Sequence, residues 1–240
     1  MATIHFILQG KGGVGKSMIA SLLYQYFQKR NVPVRAFDTD PVNSTLAGYS
    51  EFNVTRIEIM KNGDINQRNF DTLMEGILDS NEGDQLIVDN GASSFVALGN
   101  YMKVNDAFSA LVEEGNKVFL HTVITGGQAL GDTINGLNEL ITNFSDMPIA
   151  VWLNPFFGEI EAYGKKFEEM PIYQSNGEKI HALIKLPITN SSMEGQDLSE
   201  LFTLKQPFET GIESKPIMVK RRLKKYWDNV QFLLDSANIQ

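Results

Sequence analysis

The 240-residue chain contains no cysteine, which excludes disulfide bonds, thiolate-bound zinc, iron–sulfur clusters and thiol catalysis. It also has no apolar run of the roughly 18 residues that a membrane-spanning helix requires. The start of the chain lacks the charged residues and the long apolar stretch of a secretory signal. These absences predict a protein of the cytoplasm.

An excess of positive charge is missing as well. The chain has 21 Lys and Arg residues against 29 Asp and Glu residues, a formal net charge of −8. Such an acidic balance argues against a protein that coats nucleic acid. The charge is unevenly distributed, because the segment Lys220–Lys225 alone carries +5 and the rest of the chain −13. This segment is where an anionic partner is expected, if there is one.

Short apolar runs alternate with segments of helical period, a pattern typical of βαβ units. It predicts an α/β fold with a mostly parallel central sheet flanked by helices on both faces. No linker-like composition divides the chain, so a single domain over residues 1–240 is expected. The predicted core strands are Ile4–Leu8, Val34–Phe37, Gln85–Val88, Lys117–Val123, Ile149–Leu153 and Ile180–Leu186. An additional strand, Val54–Met60, and a helix, Phe70–Leu78, are expected between the second and third of them.

Residues 10–17 read Gly-Lys-Gly-Gly-Val-Gly-Lys-Ser and fit the phosphate-loop pattern G-x-x-x-x-G-K-[ST] between a predicted strand and a predicted helix. Glycines let the backbone approach phosphate oxygens, and the N–H groups at the helix start bind anions. Lys16 would reach the β- and γ-phosphates, and the Ser17 hydroxyl would bind Mg²⁺. The alternative is a glycine-rich turn that binds nothing.

A second lysine, Lys11, lies inside this loop, and the pattern K-G-G-x-G-K-[ST] resembles the deviant Walker A loop of the ParA/MinD family of P-loop ATPases. In that family two subunits enclose two ATP molecules, and the additional lysine acts on the partner's nucleotide. The resemblance implies a homodimer on ATP binding, with Lys11 and Lys16 catalytic. It also implies a nucleotide site formed by Gly10, Lys11, Gly12, Gly13, Val14, Gly15, Lys16, Ser17 and Met18.

Met18 is a departure, because the family often has a second hydroxyl residue there. Backbone N–H groups could replace that hydroxyl at the α-phosphate.

Acidic residues follow two other predicted strands. Asp38 and Asp40 follow the second, and Asp89 follows the third, at the sheet edge where ligands bind in such folds. The family resemblance makes Asp40 the residue that orients attacking water, and Asp38 a support for Mg²⁺ or for Lys11. An apolar strand ending in Asp89 is typical of a Walker B carboxylate that reaches Mg²⁺ through water. The alternative at both places is a capped turn.

Two further residues are candidates for binding the base. Asn154 follows the strand Ile149–Leu153, and Pro187 follows Ile180–Leu186. In the ParA/MinD family an Asn at the first position contacts the adenine edge, and a proline-containing loop at the second covers the ring. The alternative for Asn154 is a cap on the next turn. GTP is disfavoured because the chain has no N-K-x-D motif.

Longer stretches resemble the branch of this family encoded in conjugative-transfer regions of plasmids, at residues 4–13, 38–43, 66–73, 88–95, 121–130 and 151–155. This implies a Mg²⁺-dependent, slowly hydrolysing dimeric switch that binds ATP and ADP. Its role would be that of an accessory or positioning factor in conjugative DNA transfer, with transfer proteins as partners. The alternatives are a plasmid-partition ATPase with partition proteins as partners, a metabolic ATP-dependent enzyme, and a nucleotide-dependent scaffold without turnover.

The C-terminal segment, residues 217–237, has apolar residues every three to four positions and the cluster Lys220–Lys225 on its first turns. This pattern predicts an amphipathic helix. It would either pack on the sheet as a last helix, lie on the inner face of a membrane, or bind DNA through its cations.

Overall fold

A computed structural model describes residues 1–189 and 192–240, and its centre is a seven-stranded parallel sheet of order β11-β8-β7-β1-β6-β2-β3. Every neighbouring pair in this sheet runs parallel. Its strands are β1 (Thr3–Ile7), β2 (Val34–Asp38), β3 (Val54–Arg56), β6 (Gln85–Asp89), β7 (Lys117–Thr125), β8 (Ile149–Asn154) and β11 (Ile180–Lys185). Two small hairpins add β4 (Met60–Lys61) with β5 (Asp64–Ile65), and β9 (Glu161–Ala162) with β10 (Lys165–Lys166).

Helices cover both faces of the sheet, as predicted. The first face packs on α2 (Phe70–Leu78), α3 (Phe95–Val104), α4 (Ala107–Glu113), α5 (Leu130–Asn143) and α6 (Pro171–Asn176). The opposite face packs on α1 (Lys16–Lys29), α7 (Glu194–Thr203), α8 (Phe208–Gly211) and α9 (Ile217–Ser236). The seven strands of the central sheet therefore lie between two apolar layers.

The central strands are apolar because both of their faces are covered. All five residues of β1 and all five of β6 are buried. Successive side chains of a strand point to opposite faces, so Ile4 and Phe6 enter one apolar layer while Ile7 enters the other. This packing brings the carboxyl ends of β1, β2 and β6 together at one edge of the sheet.

The strand predicted at Val54–Met60 is wrong in its extent. Only β3, Val54–Arg56, joins the sheet, and Met60 belongs to the separate hairpin β4–β5. Asn62 and Gly63 at the hairpin turn both have positive φ, 55° and 90°, which suits the tight two-residue turns of hairpins. The turn therefore folds Met60 back on its own neighbours instead of extending the sheet.

Helix α9 packs on the core, which is the first of the three alternatives for this segment. Its apolar side chains Leu223, Tyr226, Trp227 and Val230 are buried, and Trp227 stacks on Phe208 with ring centroids 5.0 Å apart. These side chains are not available to a lipid surface. None of the described helices is long and apolar enough to cross a membrane.

Candidate functional site

The loop between β1 and α1 adopts a conformation that requires glycine. Gly13 and Gly15 have φ of +74° and +107°, and a Cβ at Gly15 would lie 2.9 Å from Nδ2 of Asn154. Helix α1 begins directly after Gly15 and has no side-chain cap. The N–H groups of its first turn are therefore available to an anion.

A cavity of about 450 Å³ lies in front of this loop. Its walls come from the loop, from the turn after β2 and from the turn after β6, so the structure brings together three segments that are distant in sequence. The lining residues are Gly12, Gly13, Gly15, Lys16, Ser17, Met18, Asp40, Val42, Asn43, Thr45, Ala92 and Ser93.

Lys16 and Asp89 are both buried next to this cavity, and the hydrogen-bonding capacity of each side chain is only partly used. The Lys16 ammonium donates one hydrogen bond to the Lys11 carbonyl at 3.1 Å. Burial lowers the pKa of Lys16, while the Asp89 and Asp40 charges oppose that change. Neither carboxylate oxygen of Asp89 has a hydrogen-bond partner within the described residues. Burial raises the pKa of Asp89 to about 7, although the Ser17 hydroxyl and the Lys16 charge favour its ionised form.

A buried carboxylate without a well-formed hydrogen bond is rare, since native folds pair almost every buried polar group. Beside a lysine, a serine hydroxyl and an anion-binding helix start, it fits a divalent cation that accompanies a bound phosphate. Within residues 1–189 and 192–240, no group of three or more His, Asp or Glu side chains is arranged to hold a metal ion by itself.

Asp38 and Asp40 both hold backbone in the turn after β2. The Asp38 carboxylate accepts hydrogen bonds from the N–H groups of Asp40 and Ala47, each at 3.0 Å. Burial raises the pKa of Asp38, which these hydrogen bonds oppose. Oδ1 of Asp40 accepts from the N–H groups of Val42 at 2.8 Å and Asn43 at 3.1 Å. The capped turn considered for this segment is therefore present, and Asp38 organises it.

The turns after β2 and β6 are joined by a buried hydrogen-bond network that the sequence did not predict. Oδ1 of Asn90 accepts from the Thr39 hydroxyl at 3.0 Å and from the Ser94 hydroxyl at 2.8 Å. Next to it, a Cβ on Gly91 would lie 2.7 Å from Cγ of Asp40. Only glycine fits there, so the segment after β6 directly supports Asp40.

Lys11 does not line the cavity. Its ammonium pairs with the Asp132 carboxylate of α5 at 2.8 Å, and the two side chains are 43% and 56% exposed. Asp132 was not among the predicted residues, because a partner so distant in sequence leaves no local pattern.

Gln9 is a second residue missing from the prediction. It is fully buried, and its amide nitrogen donates to the Thr122 hydroxyl and to the carbonyls of Val123 and Thr133 at 3.0–3.2 Å. Its side-chain oxygen accepts from the Lys11 N–H at 3.4 Å. Gln9 thus ties the start of the loop to β7 and α5. A polar residue at the end of an otherwise apolar strand was the available signal.

A second cavity of about 300 Å³ adjoins the first and shares Gly13, Gly15 and Met18 with it. Pro187, one of the two residues predicted for the base site, lines this cavity. The Asn154 amide, however, donates to the Val14 carbonyl at 2.9 Å and accepts from the Phe156 N–H at 3.2 Å. The cap that was the alternative for Asn154 is therefore present. The lining residues are Gly13, Val14, Gly15, Met18, Asn154, Phe156, Phe157, Pro187, Thr189, Leu198, Ser199, Phe202, Thr203 and Tyr226.

Comparison with known proteins agrees with this geometry. Residues 5–202 match the family described as the CobQ/CobB/MinD/ParA nucleotide binding domain. Protein TraL of Escherichia coli is 44% identical over 227 residues, which are 93% of each chain.

Two solved structures share the fold at low sequence identity. The MinD cell division protein of Aquifex aeolicus superposes with a TM-score of 0.52 at 15% identity, covering 97% of both chains. A plasmid partition protein from Borrelia burgdorferi gives a TM-score of 0.50 at 13% identity, covering 99% of this chain and 100% of the other. These two similarities support the α/β fold.

Proposed function

The chain belongs to the CobQ/CobB/MinD/ParA family of nucleotide-binding domains, and from that membership we propose that it is a Mg²⁺-dependent ATPase. It would act in the cytoplasm as a dimeric switch in plasmid conjugative transfer. The observation that carries the catalytic part is the buried carboxylate of Asp89, which has no well-formed hydrogen bond within the described residues and lies beside Ser17 and Lys16. The conjugative role is supported by the resemblance over residues 4–155 and by the identity to TraL.

The phosphate loop would bind the nucleotide through backbone N–H groups and the Lys16 ammonium. Ser17 and Asp89 would hold Mg²⁺, which neutralises phosphate charge when it is bound. One hydroxyl and one carboxylate suffice, because Mg²⁺ usually keeps several waters and binds substrate phosphates. Asp38 is left out of this metal site because its oxygens already accept two backbone N–H groups.

Asp40 would orient the attacking water, as the family resemblance implies. Two backbone N–H groups hold its Oδ1, and no hydrogen bond within the described residues engages its Oδ2. The side chain lies in the wall of the phosphate cavity. Positioning and charge neutralisation are all that such a site supplies, so turnover should be slow until a partner protein completes it.

Lys11 would connect hydrolysis to dimerisation. An exposed ion pair such as Lys11–Asp132 contributes only about 0.2–1 kcal/mol, so the lysine can leave Asp132 at little cost. In an ATP-bound dimer Lys11 would reach the nucleotide of the second subunit. Hydrolysis to ADP would then release the dimer.

The Lys11→Ala variant tests this proposal, with Lys29→Ala as the matched control. Lys29 is also a partly exposed lysine with a single ion-pair partner, Glu209. We expect Lys11→Ala to bind ATP but to lose ATP-dependent dimerisation and phosphate release, whereas Lys29→Ala retains both. Sedimentation and a phosphate-release assay measure them. Unchanged dimerisation and turnover in Lys11→Ala would refute the proposal.

A plasmid-partition role is the second candidate, because Lys220, Arg221, Lys224 and Lys225 have no ion pair within the described residues, while Arg222 pairs with Asp197 at 2.6 Å. A pull-down with the ATP-trapped Asp40→Ala form discriminates the two roles. Transfer proteins in the eluate support conjugation, and a centromere-binding protein supports partition. A wild-type turnover that Asp40→Ala abolishes would exclude a scaffold without hydrolysis.

A further inference from the structure

Lys11 is held in place at three points. Its N–H donates to the side-chain oxygen of Gln9 at 3.4 Å, and its carbonyl accepts from the Lys16 ammonium at 3.1 Å. Its own ammonium pairs with the Asp132 carboxylate of α5 at 2.8 Å. A bound phosphate would draw Lys16 away from the carbonyl. Gln9 and Asp132 do not line the phosphate cavity, so the binding of phosphate alone leaves their two contacts in place.

Gln9 also holds the helix that carries Asp132. Its amide nitrogen donates to the carbonyl of Thr133, the residue next to Asp132, at 3.0 Å. A Cβ on Gly136, three residues further along α5, would lie 2.1 Å from the side-chain oxygen of Gln9. Glycine is unfavourable inside a helix, and here it lets the carboxamide pack directly against the helix backbone. Gln9 therefore fixes where the start of α5 lies relative to the phosphate loop.

The carboxamide of Gln9 is itself anchored to the sheet. It is completely buried, and its nitrogen also donates to the Thr122 hydroxyl and the Val123 carbonyl of β7, at 3.2 and 3.1 Å. On the helix side, the Thr133 hydroxyl accepts from the Thr125 N–H at 3.4 Å. Strand β7, helix α5 and the phosphate loop thus meet at one buried side chain, which holds the three segments in a single arrangement.

We propose that Gln9 is a positioning residue that retains Lys11. It holds α5 where Asp132 reaches the Lys11 ammonium, and it holds the Lys11 backbone directly. This inference rests on the proposed function, in which Lys11 leaves Asp132 and contacts the nucleotide of the second subunit. A subunit whose Lys11 is retained does not enter the dimer, so the apparent affinity of the dimer falls with the retained fraction. Gln9 thereby sets how readily the ATP-bound chain dimerises.

The dissociation constant of the dimer at saturating Mg²⁺ and ATP tests this inference, because saturation removes changes in nucleotide affinity from the comparison. Gln9→Met keeps the length of the side chain and removes its amide. We expect this variant to tighten the dimer by about 2- to 25-fold, because the restraint is lost in both subunits. General damage to the fold would weaken the dimer, so the direction of the change separates retention of Lys11 from a merely structural role. Sedimentation measures it.

Gly136→Ala acts on the same contact from the side of the helix. Its methyl group would displace the carboxamide of Gln9, so this variant should tighten the dimer as well. Gly131→Ala is the matched control, because Gly131 belongs to the same helix and a Cβ there meets nothing within 4 Å. The control should leave the dissociation constant of the dimer unchanged.

A double-variant cycle with Asp132→Ala shows whether Gln9 acts through the retained lysine. Each single change releases Lys11, so the Gln9→Met/Asp132→Ala double variant should tighten the dimer by much less than the product of the two separate effects. The affinity of the monomer for ATP is measured by calorimetry in the Lys11→Ala background, which is expected to bind ATP without dimerising. Gln9→Met should leave that affinity unchanged, because Gln9 does not contact the nucleotide.

Two results would overturn the inference while leaving the proposed dimeric switch intact. One is a wild type that dimerises with ATP beside a Gln9→Met protein whose dimer is unchanged or weaker. The other is a double variant in which the two effects multiply fully. If Gln9→Met does not fold, Gly136→Ala decides the question by the same measurement. If the wild type does not dimerise with Mg²⁺ and ATP, the proposed function fails together with the inference.

Discussion

Two buried polar clusters lie in the same sheet, and they differ in whether their atoms are paired. In the first, which we call the histidine chain, the Trp152 N–H donates to Nδ1 of His121, at 2.9 Å. Nε2 of His121 then donates to Nδ1 of His5 at 3.0 Å, and Nε2 of His5 donates to Oε1 of Gln85 at 2.9 Å. In the second cluster, at the other end of β6, the carboxylate of Asp89 has no hydrogen-bond partner within the described residues.

This difference distinguishes a cluster that stabilises the fold from a cluster that binds a ligand. The histidine chain satisfies its own ring nitrogens, so burial stabilises a fixed arrangement and needs no ligand. Asp89 is buried with its oxygens unpaired, an arrangement that a fold retains where a ligand or ion completes it. We therefore expect changes in the histidine chain to alter stability and changes around Asp89 to alter ligand binding.

The largest expected effect is on folding, in His121→Ala. The substitution leaves the Trp152 N–H and a His5 nitrogen without partners and opens a cavity, so it should lower the free energy of unfolding by about 3–5 kcal/mol. His181→Ala is the control. Because His181 is exposed, its substitution should lower the free energy of unfolding by less than about 1 kcal/mol. Denaturant titration measures both. A folded His121→Ala protein with normal stability but weakened ATP binding would break the comparison.

The two clusters should also have opposite pH dependences. Burial lowers the pKa of His5 to about 4, so the unfolded chain binds more protons below pH 6.5 and this cluster loses stability as pH falls from 6.5 to 4. Burial raises the pKa of Asp89 from 3.8 to about 7, so the native state binds the additional proton and stability falls as pH rises across that window.

The Asp89→Asn variant isolates the second effect. Because the histidine contribution is present in both proteins and cancels in their difference, the ligand-free variant should gain stability relative to the wild type steadily from pH 4 to pH 7. Urea titrations at several pH values measure this difference. A difference that does not change with pH would contradict the assignment.

The smallest effect is expected at the surface pair between Lys11 and Asp132. Asp132→Ala should change the free energy of unfolding by less than about 1 kcal/mol, since both side chains are substantially exposed. Its effect should appear in assembly, because a released Lys11 favours the ATP-bound dimer. Sedimentation across an ATP titration measures it, and a weaker dimer in Asp132→Ala would contradict the role given to Lys11.

Much of the fold and the phosphate loop was predictable because the signals are local. Buried parallel strands are short apolar runs, and the residues of the loop are adjacent in sequence. The prediction failed where the apolar pattern continued across a turn, as in the strand expected over Val54–Met60. There an apolar residue, Met60, continues the pattern but belongs to a hairpin closed by the turn at Asn62.

The contacts that assemble the site could not be predicted for the same reason. Asp132 meets Lys11, and Asn90 meets Thr39, only after the sheet has formed. The motif also predicted a residue type but not its partner in the structure. The amide of Asn154 suits adenine by chemistry, and it also donates to the Val14 carbonyl of the phosphate loop, a contact that the motif did not predict.

Thermal unfolding of wild type and Asp89→Asn at pH 8, with and without Mg²⁺ and ATP, tests the central claim most directly. Without ligand, Asp89→Asn should be at least as stable as the wild type, because burial disfavours the Asp89 charge more than the Ser17 hydroxyl and the Lys16 charge favour it. With Mg²⁺ and ATP, the wild type should gain stability that EDTA removes, and the variant should gain much less. A variant that is strongly destabilised without ligand, yet stabilised by Mg²⁺ and ATP as much as the wild type, would contradict the account.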